Sequence, residues 1–281
     1  MVVVTSTANP AVKAARKLAR RSGRAKAGEA FLVEGPQAVR EAGAFLQQVF
    51  VTAQAQRASA DLLAAVTSAG ADVVVVSDDV LAELATTVTT QGLVGVATLP
   101  PVDLDALRGA AVLVVLHQVR DPGNAGTAIR TADAAGAGGV VLTSGSVDAR
   151  NAKAVRASVG SIFHLPVVAD VGFAEVAAHC RDNGLRIVGA AADGTTRYTD
   201  ADLSRPVAVV FGNEAHGLPP NVLEQCDDVV RIPLAGEPRP GYGGVAESLN
   251  MAATVAVLTY ECVRQQGASA KGVADGGART R

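Results

Sequence analysis

Three short segments gather the polar side chains and glycines of this chain into patterns that could do chemistry. The first is Asp121-Pro122-Gly123-Asn124-Ala125-Gly126-Thr127-Ala128-Ile129-Arg130-Thr131-Ala132-Asp133. Its small residues allow a backbone and a ligand to approach closely, Asn124 reads as an N-cap, and Arg130 follows about two turns into the helix. The second, Phe211-Gly212-Asn213-Glu214-Ala215-His216-Gly217-Leu218-Pro219, presents Glu214 at the tip of a Gly- and Asn-rich turn. The third joins Arg231-Ile232-Pro233-Leu234, through a Gly- and Pro-rich stretch, to Glu247-Ser248-Leu249-Asn250. A helix opens there, and its free N–H groups suit a carboxylate or a phosphate. Singly, each segment has a plainer reading. Arg130 fits a surface ion pair with Asp133 or Asp121, Glu214 and His216 fit an ordinary turn, and Ser248 or Asn250 fits a helix cap.

Each segment follows an apolar, strand-like run, and the runs alternate with helical patterns. Strands are predicted near 111–116, 138–143, 185–191, 206–211 and 228–233, with helices near 125–135, 172–183, 218–225 and 246–264. Such alternation implies an α/β fold with a parallel sheet, whose ligands bind beyond the carboxyl ends of the strands. A smaller α/β domain precedes it. Its strands are predicted over 31–34, 48–52, 72–77 and 92–99, and its helices over 36–45, 57–69 and 78–85. Pro100-Pro101-Val102-Asp103 reads as a linker. The expected division is 1–100, 108–265 and a disordered tail over 266–281, where Gly, Ala, Ser and charge take over.

Composition narrows the function. With 49% apolar residues the 281-residue chain can bury real cores, whereas 3% aromatics and no Trp leave little for a base-stacking platform. Cys180, Cys226 and Cys262 lie far apart, without metal-ligand spacing, as suits a reducing cytoplasm. No apolar run is long enough for a bilayer, and nothing reads as a signal peptide. The net charge is only −2, yet no acidic residue occurs from Met1 to Gly28. Lys13, Arg16, Lys17, Arg20, Arg21 and Arg24 recur at helical spacing there, as a stripe that would follow RNA phosphates or as a solvated basic face. No metal site and no dinucleotide fingerprint is found; Gly241-Tyr242-Gly243-Gly244 lacks the strand–turn–helix context.

Taken together and in this order, the three segments resemble the motifs of the SpoU (TrmH) family of RNA 2′-O-methyltransferases, in the SPOUT superfamily, over roughly residues 108–264. Glu34-Gly35 and their neighbours resemble the ribosomal-protein-like substrate-binding domain that precedes the catalytic domain in many members. The resemblance implies a parallel-sheet domain tied in a deep trefoil knot, S-adenosylmethionine bound at the knot loops, and a homodimer. It implies methyl transfer to a ribose 2′-hydroxyl, with 23S ribosomal RNA as the expected substrate. Transfer RNA, or a non-catalytic role in RNA binding or ribosome assembly, is the alternative. Residue by residue, it assigns Gly212, Ile232 and Leu249 to the cofactor, and Asn124, Arg130, Glu214, Ser248 and Asn250 to catalysis. Because arginine stays charged, Arg130 is expected to grip the adjoining phosphate and stabilise the developing alkoxide. Ser248 and Asn250 would orient the hydroxyl or Arg130, and Glu214 would anchor Arg130 or a neighbouring motif. The chain departs from the family pattern in the stretch 236–244, which lengthens the link between Ile232-Pro233 and Ser248.

Overall fold

The structure is a computed structural model that describes residues 3–20, 28–87, 89–236 and 245–276. Arg21, Arg24 and residues 237–244 of the lengthened link lie outside the described residues. The chain forms two compact units, Met1–Pro101 with Asp148–His164, and Val102–Val147 with Leu165–Arg281.

In the first unit the basic helix α1 (Pro10–Ala19) starts on Asn9, whose side chain accepts the Ala11 N–H at 2.9 Å. Its apolar side is fixed by burial of Val12 and Ala15. Downstream come β1 (Phe31–Glu34), α2 (Pro36–Ala42), β2 (Leu46–Thr52), α3 (Ala53–Ala58), α4 (Ala60–Ser68), β3 (Asp72–Val76), α5 (Asp78–Ala82) and β4 (Leu93–Ala97). The strands form one sheet in the order β1-β4-β2-β3. Phe50, Val76, Leu81, Leu84 and Val94 fill the core under α1. The basic stripe is partly spent inside the unit. Arg16 and Arg20 both reach Glu83, at 2.9 and 2.8 Å, while Lys13 and Lys17 are exposed.

The second unit is built on β5 (Val112–Leu116), α6 (Pro122–Ala135) and β6 (Gly139–Thr143). After β6 the chain crosses to the first unit as α7 (Ala152–Ser158). It returns as β7 (Val167–Val171), α8 (Phe173–Asp182), β8 (Arg186–Ala190), β9 (Thr196–Arg197), β10 (Val207–Phe211), α9 (Pro220–Leu223), β11 (Asp228–Arg231) and α10 (Met251–Gly276). The sheet order is β7-β6-β5-β10-β8-β11-β9, and every pair is parallel. The central strands β5 and β10 are buried along their whole length, which is why they read as unbroken Val- and Leu-rich runs. Helix α10 packs on α6 and across β5 and β10.

Four departures from the sequence reading concern placement and helix ends. The segment Asp148–His164, placed by sequence within the second domain, packs in the first unit. There Phe163 stacks between Phe31 and Phe45 at 5.9 and 5.7 Å, and Arg156 pairs with the nearly buried Glu34 at 3.3 Å. The cap of α6 is Asp121, not Asn124: Pro122 occupies the first helical position and Asp121 accepts the Asn124 N–H at 2.8 Å. Helix α10 begins later than expected because residues 245–250 stay outside the helix. Asn250 accepts the Ala252 N–H at 2.9 Å, as an N-cap does. The same helix continues through Gly276, past the point where a disordered tail was expected.

Candidate active site

The loops after β5, β8, β10 and β11 lie at the carboxyl ends of neighbouring parallel strands, where side chains from distant parts of the sequence meet. Because Asp121 takes over the capping of α6, the Asn124 side chain is free to turn outward. Its Nδ2 donates to Glu214 Oε1 at 3.1 Å, and its Oδ1 accepts from Asn250 Nδ2 at 3.1 Å. Asn250 uses its own Oδ1 on the first turn of α10. Glu214 also accepts the Arg120 and Asp121 N–H groups at 3.4 and 3.3 Å. The three segments are thus joined through Asn250, Asn124 and Glu214. Glu214 holds the first segment by its backbone and by Asn124, and no bond from it to Arg130 occurs among the described residues.

Behind this relay lies a cavity of about 580 Å³. Asn124, Gly212, Glu214, Ile232, Ser248, Leu249 and Asn250 all line it, so seven of the eight residues singled out in the three segments share one wall system. Arg130 does not. It sits on the exposed side of α6 together with Thr127 and Ala134, while Ala128, Ile129 and Ala132 face the core. Gly212 has a steric reason to be glycine. A Cβ there would lie 2.2 Å from the Gly217 carbonyl carbon and 2.6 Å from the Leu218 nitrogen, so the turn closes only without a side chain. Across that turn, Asn213 and Gly217 exchange backbone hydrogen bonds at 3.1 and 2.8 Å.

Sequence reasoning missed part of the lining. Ala190 ends β8, and Ala191, Ala192 and Asp193 come from the loop after it; β8 sits beside β10 in the sheet. Only the strand order could have announced it, since a lone Asp in an Ala-rich loop carries no motif. His216, read as a turn residue, also reaches the cavity. Behind the first segment, His117 is 6% exposed, with Nδ1 3.2 Å from Thr143 Oγ1, its ring edge-on to Phe173, and Nε2 without a hydrogen-bond partner among the described residues. Burial pushes its pKa down, because desolvation disfavours the charged imidazolium.

The lining fits the cofactor implied by the motifs. Leu218, Leu223 and Leu258 give an apolar surface for a flat heterocycle. Asn124, Asp193 and Glu214 supply amide and carboxylate groups for polar substituents and for a cationic centre. Among the described residues no cluster of His, Cys, Asp and Glu could hold a metal, and no helix is long and apolar enough to cross a membrane.

Comparison with known proteins agrees with this geometry. Residues 111–260 match the SpoU rRNA methylase family, and residues 9–95 match an MRM3-like substrate binding domain. The 23S rRNA (guanosine(2553)-2′-O)-methyltransferase RlmP of Bacillus subtilis is 33% identical over 263 residues, covering 92% of this chain and 98% of its own. An AdoMet-bound rRNA methyltransferase from Sinorhizobium meliloti superposes with a TM-score of 0.78 at 30% identity, over 94% of this chain and 97% of that one. The SpoU methyltransferase AviRb from Streptomyces viridochromogenes, in complex with AdoMet, gives a TM-score of 0.79 at 29% identity over 92% and 98% of the two chains. The family match covers the whole strand–loop system that builds the cavity, and the likeness to these proteins extends over nearly all of both units. The chain belongs to the SpoU rRNA methylase family and is an S-adenosylmethionine-dependent RNA methyltransferase.

Proposed function

We propose that this enzyme methylates a ribose 2′-hydroxyl of 23S ribosomal RNA in the cytoplasm. One observation carries the reading: all three motif segments converge on a single cavity of nucleoside size, with the Asn124–Glu214–Asn250 relay on its wall. When bound, S-adenosylmethionine supplies an electrophilic methyl group on a sulfonium. The chain's own residues supply position and electrostatics. Loop backbone around Gly212, Ile232 and Leu249 holds the adenosine, against the apolar surface of Leu218 and Leu258. Asn250, fixed as the cap of α10, orients Asn124, and Ser248 beside it faces the ribose. Arg130 grips the phosphate next to the target and stabilises charge as the hydroxyl loses its proton to a phosphate oxygen or water.

The first unit brings the RNA. Lys13 and Lys17 project from α1 into solvent, and Arg16 and Arg20 flank them, their charge shared with Glu83. Lys13, Arg16, Lys17 and Arg20 contact phosphates in this reading, joined by Arg21 and Arg24. The catalytic unit works as a homodimer. Leu249 and Tyr260 are 41% and 51% exposed, large apolar side chains of the catalytic unit that a second copy would cover. The trefoil knot belongs to this reading through the family match, and α10 follows β11 to pack on α6, β5 and β10. The deciding experiment maps 2′-O-methyl sites in ribosomal and transfer RNA from cells with and without the protein. A site in 23S RNA that disappears with the protein is the expected result. Loss of a transfer RNA site instead, or of none, refutes the substrate assignment.

A further inference from the structure

Residues His117–Asp121 link β5 to α6 without regular structure, yet their backbone is bonded at every position. The His117 N–H donates to the Phe211 carbonyl at 2.8 Å, and the Gln118 N–H to Thr143 Oγ1 at 3.2 Å. The Val119 carbonyl accepts from the Val147 N–H at 2.7 Å, and Arg120 and Asp121 donate to Glu214. Within this run Gln118 is strained. Its φ is 53°, in the left-handed region where a Cβ crowds the following carbonyl, and its side chain is exposed. The side-chain amide of Asn213 donates from Nδ2 to the Gln118 carbonyl at 2.8 Å. Asn213 is itself rigidly held. Its Oδ1 accepts the Ala215 N–H at 2.9 Å, and its backbone is paired with Gly217 on both sides.

We infer that Asn213 is a positioning residue for methyl transfer: it clamps Gln118 in its left-handed turn and thereby aims the Arg120–Asn124 stretch at Glu214 and sets the start of α6. Strain at a non-glycine residue persists only where its surroundings over-determine it, and here the surroundings are the threonine of β6 on one side and the asparagine of the second motif on the other. The second motif therefore enforces the backbone of the first, a task separate from that of Glu214 one residue later. Asparagine suits it because one amide offers a donor to Gln118 and an acceptor to Ala215 at the same time. The inference rests on methyl transfer taking place at this site.

The test pairs Asn213→Asp with Gln118→Gly. Aspartate keeps the acceptor for Ala215 but turns an oxygen toward the Gln118 carbonyl in place of the donor. Glycine adopts positive φ freely and needs no clamp. At saturating RNA and cofactor, Asn213→Asp is expected to lose kcat on the order of 10- to 100-fold with KM for RNA changed less than about threefold, as for misplaced rather than missing groups. Amide hydrogen exchange at Arg120 and Asp121 is expected to quicken in the same variant. Adding Gln118→Gly to Asn213→Asp should restore about tenfold of the rate and slow the exchange again, because the left-handed penalty is gone. If Asn213→Asp does not fold, Asn213→Ser takes its place in the same design. Wild-type kcat and exchange in the Asp variant, or no recovery in the double variant, overturns the inference. Exchange needs no turnover, so it decides the clamp by itself; wild-type protein inactive on ribosomal RNA would instead count against the proposed substrate.

Discussion

Glu214 accepts three hydrogen bonds, two on Oε1 and one on Oε2, and removing it tests whether it acts as an anchor or as a charge. The bonds are 3.1 to 3.4 Å long and the residue is exposed, so each belongs at the weak end for an ionised acceptor, about 1 kcal/mol net. Glu214→Ala releases the Arg120–Asp121 backbone and Asn124 together, at a cost of about 2–3 kcal/mol after water replaces part of the loss. In rate this is roughly 30- to 150-fold. Glu214→Gln keeps an oxygen where two of the three donors meet and sacrifices only the longest contact, that to Arg120 at 3.4 Å. Its expected cost is about 1 kcal/mol, roughly fivefold. The assay is single-turnover transfer of labelled methyl from saturating S-adenosylmethionine to RNA, with S-adenosylhomocysteine affinity measured separately by calorimetry. A Gln variant as poor as Ala would show that the negative charge itself enters the chemistry, and the anchoring argument would be refuted. Two near-normal variants would remove the relay from the mechanism altogether.

Other perturbations separate the remaining roles. Arg130→Ala should slow transfer by about 100- to 1000-fold with cofactor affinity intact; Lys rescues if charge alone matters and fails if a two-pronged phosphate grip is needed, and normal turnover in the Ala variant returns Arg130 to a surface role. Gly212→Ala places a carbon 2.2 Å from backbone that cannot yield, so thermal unfolding should show a loss of about 1–3 kcal/mol, and an unchanged melting curve would contradict the tight turn. For His117, burial lowers the folded pKa below that of a free imidazole, so the unfolded chain takes up the proton first as pH falls. Its stabilisation is complete above the unfolded value and is lost as pH drops toward the folded one; the melting temperature of wild type should therefore fall more steeply than that of His117→Gln between roughly pH 7.5 and 5. Parallel curves would mean that His117 does not titrate in that range. Sedimentation at micromolar concentration should give a dimer, and a monomer alone would refute the homodimer.

What the sequence made legible, and what it hid, follows from the range of the forces involved. Strands β5 and β10 announce themselves because burial on both faces demands continuous apolar runs such as Val112–Leu116. β7 was not read. Its Val-Val-Ala-Asp-Val run is broken by Asp170 at φ 64° and by a register shift against β6. The two-residue β9 is too short for any periodicity. Asp121-Pro122 is a strong helix start, but Asn124, three residues after Asp121, is an equally good cap by residue type alone. The helical spacing of Lys13, Arg16, Lys17 and Arg20 is a local property and stands in α1, whereas the sharing of Glu83 by Arg16 and Arg20 depends on a residue 63 positions from Arg20. The motif residues were legible as a set because their types are unusual in sequence. The bond from Asn213 to Gln118 was not, because it depends on a backbone angle that no residue type at position 118 advertises.

The placement of Asp148–His164 has a consequence for how the protein is made. The first unit lacks Phe163 between Phe31 and Phe45, and Arg156 against Glu34, until that segment has been synthesised. During translation at roughly 5–20 residues per second, an amino-terminal domain that ended at the linker would finish while the rest was still being added. Here β5, α6 and β6 must emerge first, so the nascent first unit waits with an aromatic face uncovered for several seconds. The interval is a window for chaperone capture. It also means that a fragment cut at Pro101 would carry the same unfinished face permanently, and that a faithful isolated unit would have to graft residues 148–164 back onto it.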